Sequence, residues 1–107
     1  DDAETLIMDR KNNIKEIGKK TKNINKIQGQ YIGMFKINKK FINYAINIFN
    51  SLSNSVKNNL YLTDYLQIII NKKIEVKGVL VNGEWFEVDT LNDLRLYKKK
   101  YKKFFDL

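Results

Sequence analysis

Two carboxylates separated by one residue, Glu87 and Asp89, lie in the run Glu84-Trp85-Phe86-Glu87-Val88-Asp89-Thr90 and are the side chains best placed for chemistry. Alternate residues of an extended strand share a face, so Trp85, Glu87 and Asp89 are predicted to point one way and Phe86 and Val88 the other. One face reads as core and the other as chemistry. The chain has no histidine and no cysteine. Imidazole and thiolate are therefore excluded as catalysts or ligands, and any mechanism falls to Asp, Glu, Lys and Tyr.

Those carboxylates need a rigid mount. Asn82-Gly83, set between Val79-Leu80-Val81 and Trp85-Phe86, is a type I′ turn signal, which predicts a hairpin of Ile74 to Val81 with Glu84 to Val88. An earlier hairpin is predicted from Glu4 to Arg10, a turn at Lys11-Asn12-Asn13 and a return at Ile14 to Ile17. Gly18 through Lys26 reads as a loop, and Ile27 to Ile37 as a strand carrying Gly29 and Gly33. Asn38 can cap a helix with Phe41, Ile42, Ala45, Ile46, Ile48, Phe49 and Leu52 on one stripe. Ser51 to Asn59 reads as a polar linker. Tyr61 to Asn71 is a second helix with Leu62, Tyr65, Leu66, Ile69 and Ile70 apolar. Thr90 with Asp93 can cap a third, from Leu91 to about Phe104. Strands with intervening helices predict an α/β layer structure.

The 107 residues carry a formal charge of +8, which invites a polyanion partner because clustered lysines neutralise phosphates. Much of the excess sits in Lys98, Lys99, Lys100, Lys102 and Lys103, where a solvated helix end explains it as well. Nucleic acid is therefore not the expected partner. No apolar run approaches the ~20 residues that span a bilayer, and no signal-peptide pattern opens the chain, so a soluble cytoplasmic protein is expected. The opening Asp1-Asp2-Ala3-Glu4 runs straight into a strand without a Met, as if cut from a longer polypeptide.

The ordered set Ile17-Gly18-Lys19-Lys20, Gly29-Gln30-Tyr31-Ile32-Gly33-Met34-Phe35-Lys36, Tyr61-Leu62-Thr63-Asp64 and Trp85-Phe86-Glu87-Val88-Asp89-Thr90 with Asp93-Leu94 resembles one family. It is similar to the C-terminal half of a nucleotidyltransferase of the sugar-phosphate and phosphocholine cytidylyltransferase type, in the nucleotide-diphospho-sugar transferase superfamily. The resemblance implies the C-terminal, acceptor- and metal-binding part of a Rossmann-like domain: a mixed sheet with two β-hairpins and about three helices, over residues 1–107. The nucleotide-binding half, with its Gly-rich loop and Pro-Lys pair, would lie outside this chain, which has no proline; the fragment alone would then be inactive.

The implied reaction joins a nucleoside triphosphate, CTP being favoured, to a phosphorylated small alcohol and expels pyrophosphate. Phosphocholine or an aminoalkyl phosphate or phosphonate is implied as acceptor ahead of a sugar 1-phosphate. Mg²⁺ is the implied cofactor, since it bridges phosphate oxygens while keeping one or two protein carboxylates. Asp89 is the metal-binding and catalytic candidate, or else part of a capping turn. Glu87 would orient a water or contact the acceptor, or else is simply solvated. Lys19 stands where the family places a phosphate-contacting lysine, with Lys20 able to substitute and an ordinary loop lysine as the alternative. Tyr31 and Gly33 match the segment lining the acceptor pocket, though Tyr31 also suits a strand. Tyr61, Tyr65 and Trp85 could cage a quaternary ammonium, worth roughly 0.5–2 kcal/mol per contact, with core packing the alternative for Tyr65. Asp64 either complements its helix dipole or faces a cationic acceptor group. A homodimer is compatible with this reading. The competing readings are a small basic module holding nucleic acid or another polyanion, and an inactive relic whose sheet edge and apolar faces are left uncovered.

Overall fold

The computed structural model describes residues 3–83 and 86–105. Its α/β character is as predicted, with one antiparallel hairpin, β1 (Ala3–Met8) and β2 (Ile14–Thr21), followed by helices α1 (Ile42–Ser51), α2 (Asn54–Asn58), α3 (Leu62–Asn71), α4 (Leu91–Lys100) and α5 (Lys102–Phe105). The hairpin turn is locked by Asp9, whose carboxylate accepts from the Lys11 N–H at 2.8 Å and the Asn13 N–H at 3.0 Å. Asn12 takes the left-handed conformation there, φ 63°, which Asn tolerates better than most residues.

β2 runs four residues past its predicted end at Ile17. Glu4 pairs with Lys20 and Leu6 with Ile17, so Thr5 faces both Gly18 and Lys19 across a bulge. Gly18 supplies the φ of +77° that such a bulge requires. A glycine followed by three polar residues looks like a loop in sequence, whereas pairing to β1 keeps it in the sheet.

Both outer edges of this hairpin are closed by glutamines. Along β2, the Gln67 side chain from α3 accepts from the Ile17 N–H at 2.9 Å and donates to the Lys15 carbonyl at 3.3 Å, the two bonds a third strand would make. Along β1, the Gln28 N–H donates to the Leu6 carbonyl at 3.0 Å, and the Gln28 side-chain oxygen accepts from the Met8 N–H. The expectation of a strand over Ile27 to Ile37 is thereby corrected. The segment touches β1 through Gln28 and otherwise forms no ladder, after a 3-10 turn at Ile24–Lys26. Gly29 nonetheless lies close against β1, because a Cβ there would come 3.0 Å from Leu6 Cδ2.

The core forms where α3 crosses the hairpin: Ile17, Leu66 and Ile70 are buried together, flanked by Leu6, Ile14, Tyr31 and Val76. α1 adds Ala45 and Ile48 at three-residue spacing, and Tyr65 of α3 donates its hydroxyl to the Ala45 carbonyl with its ring edge-on to Phe49 at 6.3 Å. Asn38 caps, but not α1 itself: it accepts from the Lys40 N–H at 2.9 Å and starts a 3-10 turn, Lys39–Phe41, that leads into α1 at Ile42. The predicted linker after it contains α2, capped by the Ser53 hydroxyl on the Val56 N–H at 3.3 Å.

The second hairpin is corrected over its described residues. Val76 gives its carbonyl to the Ile14 N–H and Gly78 its N–H to the Asn12 carbonyl, both at 2.7 Å, so this stretch pairs with the first hairpin's turn. Val79, Leu80 and Val81 are exposed, and residues 86–89 belong to no strand. Glu84 and Trp85 lie outside the described residues. Phe86 packs instead on Tyr97 and Tyr101, ring centroids 5.1 and 4.9 Å away. The last helix is split at Tyr101 into α4 and α5. Among the described residues no helix is long and apolar enough to cross a membrane.

Candidate functional site

Lys19 emerges from the Gly18 bulge onto a cleft of about 380 Å³ between β2, the end of α2 and the start of α3. Its backbone N–H donates to the Thr5 hydroxyl at 3.2 Å, and Thr5 is 97% buried because only 3% of it is exposed. The Lys19 ammonium lies 3.5 Å from the Glu16 carboxylate in a solvent-accessible pair, which screening leaves weak. Ile17, Val56, Leu60 and Ile68 form the apolar wall of the cleft; Asn59, Asp64 and Gln67 add polar groups.

Two of the sequence motifs therefore meet here. Thr63 and Asp64, from Tyr61-Leu62-Thr63-Asp64, stand against Gly18 and Lys19: a Cβ on Gly18 would sit 2.6 Å from Thr63 Cβ, and Asp64 lines the same cleft. One Asp64 oxygen accepts from the Tyr61 N–H at 3.0 Å, so this carboxylate closes the first turn of α3 while also facing the cleft. Sequence reasoning missed Thr5, Asn59, Thr63 and Gln67 as neighbours of Lys19. The available signals were a threonine within the apolar run of β1 and a glutamine on the α3 face that carries Leu66 and Ile70.

The aromatic candidates do not gather. Tyr31 packs against the Ile17, Leu66 and Ile70 cluster; its hydroxyl is buried without a hydrogen-bond partner among the described residues, and burial raises its pKa. Tyr61 is 77% exposed. Tyr65 takes the core role, and burial raises its pKa as well. Trp85 lies outside the described residues, and of the two described members of the expected cage only Tyr61 is open. Gly33 has φ +85° with nothing within 4 Å of a Cβ built on it.

At the start of α4 the predicted capping box forms. The Asp93 N–H donates to the Thr90 hydroxyl at 3.1 Å, and the Thr90 and Asp89 N–H groups donate to one Asp93 oxygen at 3.0 and 3.2 Å. The capping side chains are thus Thr90 and Asp93. The Asp89 carboxylate takes no part in the cap and, like that of Glu87, is exposed. Hydrogen bonding to the Thr90 side chain, then to the Thr90 and Asp89 backbone, holds the Asp93 carboxyl below its ordinary value. A depressed carboxyl pKa contributes stability that is present above the unfolded value, about 3.9, and lost as pH falls through the folded one. Asp93→Asn is accordingly expected to flatten the acid side of a melting-temperature titration below about pH 4; an unchanged acid limb would show that the cap does not stabilise the fold.

Among the described residues no three His, Cys, Asp or Glu side chains cluster as a self-sufficient metal site. The exposed carboxylates of Glu87 and Asp89 offer hard-oxygen ligands of the kind that hold a cation which takes its remaining ligands from water or phosphate oxygens. Lys98, Lys99 and Lys100 occupy the last turn of α4, where cations complement the helix dipole.

No family model and no solved structure matches the chain. It is 37% identical over 106 residues to a curated CTP:phosphoglutamine cytidylyltransferase of Campylobacter jejuni subsp. jejuni serotype O:2, an alignment covering 94% of this chain and 42% of the relative. The chain thus spans about two-fifths of the length of the curated relative it matches (42%), and this similarity to part of a cytidylyltransferase agrees with the family that the ordered motifs resemble.

Proposed function

We propose that the polypeptide carrying this chain transfers a cytidylyl group from CTP to a phosphorylated small-molecule acceptor and releases pyrophosphate, with residues 1–107 forming the acceptor side of the site. The likeness to a cytidylyltransferase along nearly the whole chain is the observation that carries this reading. The Lys19 cleft supports it chemically. A cation and a carboxylate, Lys19 and Asp64, on the walls of one cleft complement an acceptor that bears a phosphate at one end and an ammonium at the other.

Phosphoglutamine, phosphocholine and aminoalkyl phosphonates have that character, and sugar 1-phosphates lack the ammonium. The relative's name makes phosphoglutamine the first acceptor to try. In the reaction, the Lys19 ammonium would hold the acceptor phosphate and offset its charge as it approaches a second anion. Asp89, with Glu87 beside it in sequence, would hold Mg²⁺, which when bound neutralises the triphosphate and the departing pyrophosphate.

The test is pyrophosphate release from CTP by the complete polypeptide, with phosphoglutamine, phosphocholine, 2-aminoethylphosphonate and a sugar 1-phosphate compared as acceptors. Turnover with the ammonium-bearing acceptors, at kcat/KM at least about tenfold above the sugar phosphate, is expected; ~1.4 kcal/mol of discrimination suffices for that factor. Turnover with the sugar phosphate alone would refute the reading of the cleft, and no pyrophosphate from any of them would refute the activity.

A further inference from the structure

We infer that Thr5 is a positioning residue for Lys19, acting through the bulge that Gly18 opens and Thr63 buttresses; the inference rests on the proposed role of Lys19 at the acceptor phosphate. A bulge leaves one extra residue on its strand, and that residue's backbone must find a partner outside the regular ladder. Here the Lys19 N–H finds the Thr5 hydroxyl at 3.2 Å. Because Thr5 is buried while the Lys19 side chain is exposed, the bond ties a mobile cation to the interior of the sheet. On the other side, Thr63 sits so close to Gly18 that the bulge cannot move toward α3. Lys19 is thereby given one place of origin at the rim of the cleft, and only the torsions of its own side chain remain free.

A group that orients another is recognised by coupling, not by the size of its own effect. Thr5→Val keeps the shape and removes the hydroxyl, while Thr5→Ser keeps the hydroxyl and removes a methyl. In the complete polypeptide, Lys19→Met is expected to raise the KM for the phosphorylated acceptor. Thr5→Val is expected to raise it about tenfold, the lower end of what losing an orienting partner costs, with the KM for CTP unchanged and Thr5→Ser close to the parent. In the Lys19→Met background the same Thr5→Val change should add less than about twofold.

Equal effects of Thr5→Val in both backgrounds, or none in an enzyme that does depend on Lys19, would overturn the inference alone. Indifference of the acceptor KM to Lys19→Met would overturn the reading of Lys19 and the inference with it. Amide exchange in the unmutated protein gives a reading independent of whether the variants fold. The Lys19 N–H should be protected, and exchange as fast as that of an open loop would also overturn the inference.

Discussion

Asp89→Ala in the complete polypeptide should lower pyrophosphate release from CTP on the order of 10²- to 10³-fold, the scale on which removing one group that offsets developing charge acts. The fold should be untouched. The α4 cap is made by Thr90 and Asp93, and the Asp89 contribution to it is a backbone N–H that alanine keeps. Unchanged circular dichroism with lost turnover is therefore the expected pair of observations. If Mg²⁺ is held as proposed, higher Mg²⁺ should recover part of the rate in Asp89→Asn but not the rate lost in Lys19→Met. Near-normal activity of Asp89→Ala would remove it from the metal site, and Glu87 would become the carboxylate to examine.

The second large effect is on stability. Gly18→Ala should destabilise the protein by about 2–5 kcal/mol, as roughly 1–2 kcal/mol for a left-handed alanine is joined by roughly 1–3 for overpacking. The added methyl would lie 2.6 Å from Thr63 Cβ and 2.7 Å from its hydroxyl oxygen, and the first turn of α3 cannot retreat without carrying Leu66 out of the core. Gly33→Ala is the control. Its φ of +85° has the same sign, yet no atom lies within 4 Å of the added methyl, so only the backbone cost of about 1–2 kcal/mol applies. Denaturant midpoints of the two variants separate packing from conformation. Equal losses would mean that Thr63 gives way and that the bulge is not buttressed.

The helices were legible in the sequence because their evidence is local. Apolar stripes at three- and four-residue spacing marked α1 and α3, and the Thr90/Asp93 pair marked the start of α4 within one residue. Strands were legible only where a partner exists. The alternation of residues 27–37 has the right period, but the backbone beside it, β1, is satisfied through Gln28 alone. Asn82-Gly83 is a sound local turn signal, yet Val76 and Gly78 spend their backbone groups on Ile14 and Asn12, a pairing no local pattern announces. The same limit applied to the site. Lys19 and Asp64 could each be named from their motifs, whereas their meeting in one cleft depends on α3 crossing β2 through Ile17 and Gln67. A two-residue cap between Ser53 and Val56 was present in the sequence and too short to outweigh the polar run around it.

The two glutamines that flank the hairpin bear on how this protein meets other copies of itself. A free strand edge is a template on which identical chains can stack by main-chain pairing, and a two-stranded sheet ordinarily offers two such templates. Gln67 fills one with an amide that imitates a peptide group, and Gln28 fills the other with its own peptide and side chain. Main-chain stacking on either edge of this hairpin would first have to break the glutamine bonds there, so the edges that the two side chains occupy offer no ready template for an added strand.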